Sequence, residues 1–173
     1  MEQSVAIRLI EKGIDKSTSA HWADLGAGSG VFTEAIATLL GKGNTIYAVD
    51  QNEASLKSIK SNPDQAVILK MKLNFITDTL TLPLLDGILM ANALHFVKAK
   101  DIFVTKLRKM LKPEGRLIIV EYDTLTSNQW VPYPINFSSL NELMKAAEFS
   151  SLEKLAEQPS QYRQGNIYSA RVQ

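Results

Sequence analysis

Near the amino terminus, Asp24-Leu25-Gly26-Ala27-Gly28-Ser29-Gly30 could act in concert with Asp50, which closes the run Tyr47-Ala48-Val49. Glycines at every second position, between a short apolar segment and a helical one, permit a backbone bend that side chains would obstruct. Main-chain atoms of Gly26, Gly28 and Gly30 can then approach a ligand closely. Asp50 ends the next predicted strand, where a carboxylate can accept hydrogen bonds from both hydroxyls of a ribose. A tight turn with no ligand would need fewer glycines. The pattern points to a cofactor that contains a nucleoside.

Spacing narrows the choice. A dinucleotide turn reads G-x-G-x-x-G, with the third glycine or an alanine letting helix pack on strand. Counting from Gly26 and Gly28, that third position falls on Val31, which is bulky and β-branched. Asp24 also stands two residues before the first glycine. A pyrophosphate gains little from a carboxylate there, whereas an ammonium can use it.

The elements that must hold these residues alternate. Ser4 to Lys12 is loosely helical and stops at Gly13, and Ala20 to Leu25 is a first strand. Val31 to Leu40 predicts a helix ended by Gly41-Lys42-Gly43-Asn44. Thr45 to Val49 is a second strand, and Glu53 to Ser61 a helix closed by Asn62-Pro63. Ala66 to Lys70 and the apolar run Leu85 to Met90 are strands, the latter buried on both faces as parallel strands usually are. A helix over Lys98 to Leu111 leads through the turn Lys112-Pro113-Glu114-Gly115 into a fifth strand, Arg116 to Glu121. Five such units argue for a doubly wound parallel α/β sheet. The tail departs from the rhythm. After a helix over Ser138 to Glu148, the strands Leu152 to Glu157 and Asn166 to Val172 join through a polar loop with no helix between them, so they pair antiparallel.

Composition sets outer limits. The 173 residues suffice for one domain with a real core, 45% apolar and 21% charged. A formal net charge of +1 gives no broad electrostatic footprint for nucleic acid or an anionic membrane. With no cysteine there is no disulfide framework, thiolate zinc site or cysteine nucleophile, and neither histidine has a partner at metal-ligand spacing, so no metal site is predicted. Met1 to Lys16 does not read as a signal peptide. The longest apolar stretch, Leu82 to Val97, is interrupted by Pro83, Asp86, Asn92 and His95, and falls short of the roughly 20 residues a membrane helix needs. The expectation is a soluble, cytoplasmic protein.

The pattern (D/E)-x-G-x-G-x-G followed by an acid closing the second strand resembles the class I S-adenosylmethionine-dependent methyltransferases. The resemblance covers nearly the whole chain, because that family also finishes its sheet with an antiparallel hairpin. It implies one domain over residues 1–173, a Rossmann-like, mostly parallel sheet of seven strands with a C-terminal antiparallel hairpin, and S-adenosylmethionine as cofactor. It places Asp24 toward the cofactor's amino end, often through water, with Leu25, Gly26, Ala27, Gly28 and Gly30 forming the turn. Asp50 takes the ribose and Gln51 lies against the adenine. Where the family often has an aspartate and a less polar residue beside the adenine, this chain has Asn74-Phe75. Asparagine supplies donor and acceptor without charge, and Asp78 is the nearest acid. Ala91 and Asn92, ending the fourth strand, fall beside the cofactor, and His95 toward the methyl acceptor.

His95 and Glu121 are candidate bases and Tyr122 a candidate orienting group; the alternative for His95 is packing against Phe96. His21, at the far end of its strand, reads as structural. Asn128-Gln129-Trp130-Val131-Pro132-Tyr133-Pro134 is a stiff aromatic segment, either a wall of the acceptor pocket or a connection packed on the sheet. The family's Asn-Pro-Pro-Tyr signature is missing, which argues against DNA adenine or glutamine as acceptor. The resemblance therefore implies methylation of a small molecule, without nucleic acid or membrane, and leaves a homo-oligomer open. The competing readings are an NAD(P)-dependent oxidoreductase, which would share the sheet and Asp50, and a non-catalytic S-adenosylmethionine-binding module.

Overall fold

The computed structural model describes residues 1–160 and 165–173. Seven strands form one sheet in the order β3-β2-β1-β4-β5-β7-β6. They are β1 (His21–Leu25), β2 (Thr45–Asp50), β3 (Val67–Lys72), β4 (Leu85–Ala91), β5 (Leu111–Tyr122), β6 (Leu152–Pro159) and β7 (Asn166–Val172). The helices are α1 (Gln3–Ile10), α2 (Val31–Leu40), α3 (Glu53–Ser58), α4 (Lys100–Met110) and α5 (Phe137–Ala146). Strands β1 to β5 pair in parallel, and β7 runs antiparallel to both β5 and β6. The expected hairpin is therefore present, although part of its polar loop lies outside the described residues.

Strand alternation sorts the apolar side chains onto two faces. Trp22, Ile46, Leu89 and Ile118 meet Leu9 and Ile10 of α1 and Phe32 and Ile36 of α2. Ile88, Met90, Leu117 and Ile119 meet Phe103 and Leu107 of α4 and Leu140 and Met144 of α5 on the other face. Asn52 and Asn136 start α3 and α5 by accepting the backbone N–H of Ser55 and Ser139 at 3.1 and 2.9 Å.

Strand order reverses between β1 and β4, since the chain fills one side of the sheet through β3 and then crosses back. In open α/β sheets the crevice at the carboxyl ends of such strands takes the ligand. The glycine turn leaves β1 and Asn92 leaves β4 at that point.

Most boundaries shift by a residue or two from the sequence expectation, and two of the differences have a clear packing cause. The helix predicted to Ser61 ends at Ser58, because Ile59 turns inward and fills the space beside Gly30. The turn predicted at Lys112–Gly115 sits inside β5 as a bulge: Leu85 pairs with Leu111, and Gly87 pairs with Arg116. Among the described residues no helix is long and apolar enough to cross a membrane, and no cluster of three or more metal-ligating side chains exists.

Candidate functional site

Alternation along β1 puts Asp24 on the same face as Trp22, toward α2, where Thr33 Oγ1 donates to Asp24 Oδ2 at 2.6 Å. The carboxyl is 1% exposed. Burial pushes it from 3.8 up to about 7; the Thr33 hydrogen bond works against that rise, and the nearby charge of Asp50 adds to it. Asp24 thus ionises near neutrality.

The turn after β1 runs through left-handed backbone at Gly26, Gly28 and Gly30, with φ of 84°, 53° and 92°. A Cβ at Gly26 would meet Ala93 Cβ at 2.7 Å, and one at Gly30 would meet Ile59 at 2.6 Å. These two glycines let the β4 exit and the α3 exit pack against the turn. Gly28 differs, since nothing lies within 4 Å of the position its Cβ would take. It faces a cleft of about 240 Å³ whose lining includes Asp24, Gly26, Ala27, Phe32, Ala91 and Asn92.

The cleft has an unequal supply of donors and acceptors. The N–H groups of Gly26 and Ala27 donate to Val49 O, that of Gly30 donates to Ala27 O, and that of Gly28 donates to Asp50 Oδ2 at 2.8 Å. Across the cleft, Asn92 Oδ1 is buried and has no hydrogen-bond partner. Asn92 also holds a left-handed backbone, φ 52°, uncommon outside glycine. Its N–H is tied to Val120 O at 2.8 Å, which fixes the strained residue at the mouth.

Asp50, Gln51, Asn74 and Phe75 are not among the residues that line this cleft. Asp50 Oδ1 accepts the Asn52 N–H at 2.8 Å, so the carboxylate links the glycine turn to the start of α3. Asn74 Nδ2 donates to Gln51 Oε1 at 3.2 Å, bringing those two together, while Asn74 Oδ1 accepts the Ile76 N–H in a local turn. Asp78 closes the same turn by accepting the Asn74 N–H at 2.8 Å. Phe75 approaches the glycine turn at Gly26 and stacks edge-on to Phe103. Leu25 is fully buried in the core, so only its backbone reaches the turn. Met1, Ser29, Val31 and Phe32 also line the cleft. Of these, Ser29 and Val31 stand in and beside the glycine pattern, and Phe32 falls within the helix predicted over Val31 to Leu40.

The candidate bases meet across the exits of β4 and β5. Glu121 Oε2 lies 2.7 Å from His95 Nδ1, and Oε1 accepts the His95 backbone N–H at 3.1 Å. The two side chains are 3% and 1% exposed. Tyr122 turns to the opposite face of β5, though its ring centre comes within 6.3 Å of the imidazole. The aromatic segment folds back onto this region, with Tyr133 N–H donating to His95 O at 3.0 Å. Lys100 Nζ donates to Val97 O and Tyr133 O at 2.8 and 2.7 Å. Partial burial lowers the Lys100 pKa, and the Glu121 charge opposes that. Trp130, at the tip, stays 74% exposed.

The opposite end of the sheet is occupied by paired charges. His21 N–H donates to Asp86 Oδ2 at 2.7 Å, and Lys112 bridges both Asp86 oxygens at 2.9 Å.

A family model described as "Methyltransferase domain" matches residues 16–169. The chain belongs to that family. The methyltransferase has no match among curated proteins. Its fold is similar to an arsenic(III) S-adenosylmethionine methyltransferase from Chlamydomonas reinhardtii, with TM-score 0.71 and 17% identity. That alignment covers 92% of this chain and 64% of the algal one, so the methyltransferase spans under two thirds of that protein's length. A SAM-dependent methyltransferase from Aquifex aeolicus aligns over 99% of this chain and 98% of its own, with TM-score 0.68 and 16% identity. CalO1, a methyltransferase of calicheamicin biosynthesis solved in its SAH-bound form, gives TM-score 0.66 and 14% identity over 97% of this chain and 53% of its own.

Proposed function

We propose that this protein moves a methyl group from S-adenosylmethionine to a small-molecule acceptor, with the donor in the cleft between β1 and β4. The observation that carries the reading is the balance of polar groups there. Four amides of the glycine turn already donate within the protein, while Asn92 Oδ1 is a buried acceptor without a donor and Asp24 ionises near neutrality. Such a site suits a cationic amino-acid tail, and Val31 stands where a dinucleotide turn needs a glycine or an alanine. The residues therefore fit S-adenosylmethionine, which would supply an activated methyl group on a sulfonium.

In this reading Asp24 and Asn92 face the ammonium of the donor, and Asp50 receives the ribose. Gln51, Asn74 and Phe75 border the adenine, and Ala91 closes the floor. The protein's contribution is chiefly to hold two reactants in line, for which no covalent residue is needed. The net charge of +1 supports a small acceptor over a nucleic acid.

Calorimetry with S-adenosylmethionine and with NAD tests this. The expected result is binding of the first and none of the second; tight NAD binding alone would overturn it.

A further inference from the structure

We propose that His95, held by Glu121, is the base that takes the proton from a hydroxyl carried on an aromatic ring. This rests on the methyl-transfer reading above and names its acceptor class. The pair is anchored twice, through Nδ1 and through the backbone N–H of the same histidine, to the two oxygens of one buried carboxyl. A carboxylate acting only as acceptor leaves the proton on Nδ1 and the lone pair on Nε2. No described residue hydrogen-bonds Nε2. Among the described residues the only sealed side-chain polar atom without a partner is Asn92 Oδ1, so Nε2 is not sealed off.

Position and surroundings indicate what Nε2 would meet. His95 lies three residues beyond Asn92, at the exit of β4, on the side of the donor cleft toward β5. The ring of Phe96 packs on the imidazole with centres 4.4 Å apart, yet Phe96 is 48% exposed. Tyr133, bonded through its backbone to His95 O, is 39% exposed. The exposed Phe96 ring beside the base suits a planar apolar ring bearing an ionisable group, while the Tyr133 ring lies under Lys100 Nζ, 5.6 Å from its centroid. An aromatic amine, neutral at this pH with its lone pair free, or an acidic thiol, would gain far less from such a base.

The step balances as follows. The hydroxyl proton passes to Nε2, the acceptor oxygen bonds to the methyl carbon, and the carbon–sulfur bond breaks with its electron pair left on sulfur. The imidazolium then returns its proton to solvent. His95 is the catalytic residue and Glu121 a positioning residue.

The test uses the full chain with S-adenosylmethionine and four probes: phenol, pentafluorophenol, aniline and thiophenol. Phenol is un-ionised at neutral pH, and pentafluorophenol is already ionised. The wild type is expected to methylate both hydroxyl probes. His95→Gln should lose about 100-fold or more in kcat/KM on phenol and change less than about threefold on pentafluorophenol, because only phenol needs the base. Equal losses on both would assign His95 a merely structural role and overturn the proposal. So would transfer confined to aniline or thiophenol, or none to either hydroxyl from a protein that binds S-adenosylmethionine by calorimetry. Failure of that binding instead removes the methyl-transfer reading itself.

A second measurement needs no turnover. With adenosyl-homocysteine present, phenol should shift the 15N resonance of His95 Nε2 and leave that of His21, the only other histidine, in place. An unmoved His95 signal overturns the proposal. In Glu121→Gln the amide cannot serve both anchors as an acceptor, so the Nδ1–H tautomer should give way in the same spectrum; retention of that tautomer would remove Glu121 from its positioning role.

Discussion

Replacing Asp24 by asparagine should make the protein more stable and a poorer binder of its cofactor, and the gain should grow with pH. In the unfolded chain the carboxyl ionises at 3.8; in the folded one it holds its proton to about 7, chiefly because it is buried. Between those values the native state binds more protons than the unfolded state, so stability falls as pH rises. The stability is whole below 3.8 and is lost through about 7. Each pH unit inside the window is worth about 1.4 kcal/mol, so going from pH 5 to pH 8 removes roughly 3 kcal/mol through this one group. Asparagine keeps an acceptor for the Thr33 hydroxyl and does not titrate.

Urea unfolding followed by circular dichroism at pH 5 and pH 8, on wild type and Asp24→Asn, isolates the effect. Every other titrating group is common to both proteins and cancels, as does any fixed cost of the amide. The stability difference should move by about 3 kcal/mol in favour of the variant between the two pH values. Calorimetry at pH 8 should show affinity for S-adenosylmethionine reduced by about 1.5–3 kcal/mol, the range for a hydrogen bond to a charged group. A stability difference equal at both pH values would show that Asp24 is ionised throughout, and the account of its burial would be wrong.

Gly28→Ala should cost only about 1–2 kcal/mol of stability, from left-handed backbone alone, while its methyl enters the cleft and weakens cofactor binding. Gly26→Ala adds a collision with Ala93, so its stability in urea unfolding should fall further, by about 1–3 kcal/mol more. Asp50→Ala should lower affinity for S-adenosylmethionine by about 1.5–3 kcal/mol in calorimetry; unchanged affinity would remove Asp50 from the site. Tyr168→Phe takes away the buried donor that holds Ile135 O at 3.0 Å, where burial has pushed the phenol pKa upward. Leaving that carbonyl unpaired should cost about 1–3 kcal/mol in urea unfolding.

The parts of the site that were legible in the sequence are those carried by short stretches of chain. The glycine turn, Asp24 and Asp50 lie on one β–α–β segment, where residue type and spacing report directly on backbone conformation. The doubly wound parallel sheet and the closing hairpin followed from the rhythm of elements, whereas the strand order did not. What the sequence did not disclose depends on contacts between distant segments. Ile59 leaves its helix to pack beside Gly30, a demand that helical periodicity does not register. The turn residues Lys112 to Gly115 bulge within β5 because pairing with β4 resumes at Arg116. Asn74 was legible as a candidate, but its carbonyl is committed to its own turn, and that depends on how the residues after β3 fold back.

His95 and Glu121 show the same division within the active region. Each was recognisable alone as a titratable residue at a strand exit; their pairing required β4 and β5 to be neighbours in a specific register. Ala91 sits opposite Val120, and Asn92 N–H bonds Val120 O, so the following residue of β5, Glu121, comes level with the loop that carries His95. The donor cleft and the candidate base are thereby coupled through one short loop. Asn92, left-handed and with its side-chain oxygen free, faces the cleft, and three residues on His95 is locked to Glu121. A left-handed non-glycine residue costs of order 1 kcal/mol and persists only where its surroundings over-determine it. Here they do: Val120 fixes its N–H, and the bare face of Gly26 accepts its neighbour Ala93. The glycine that shapes the turn therefore also seats the loop that carries His95, so in the proposed reading the distance between the two reactants is tied to the packing of Gly26 against Ala93.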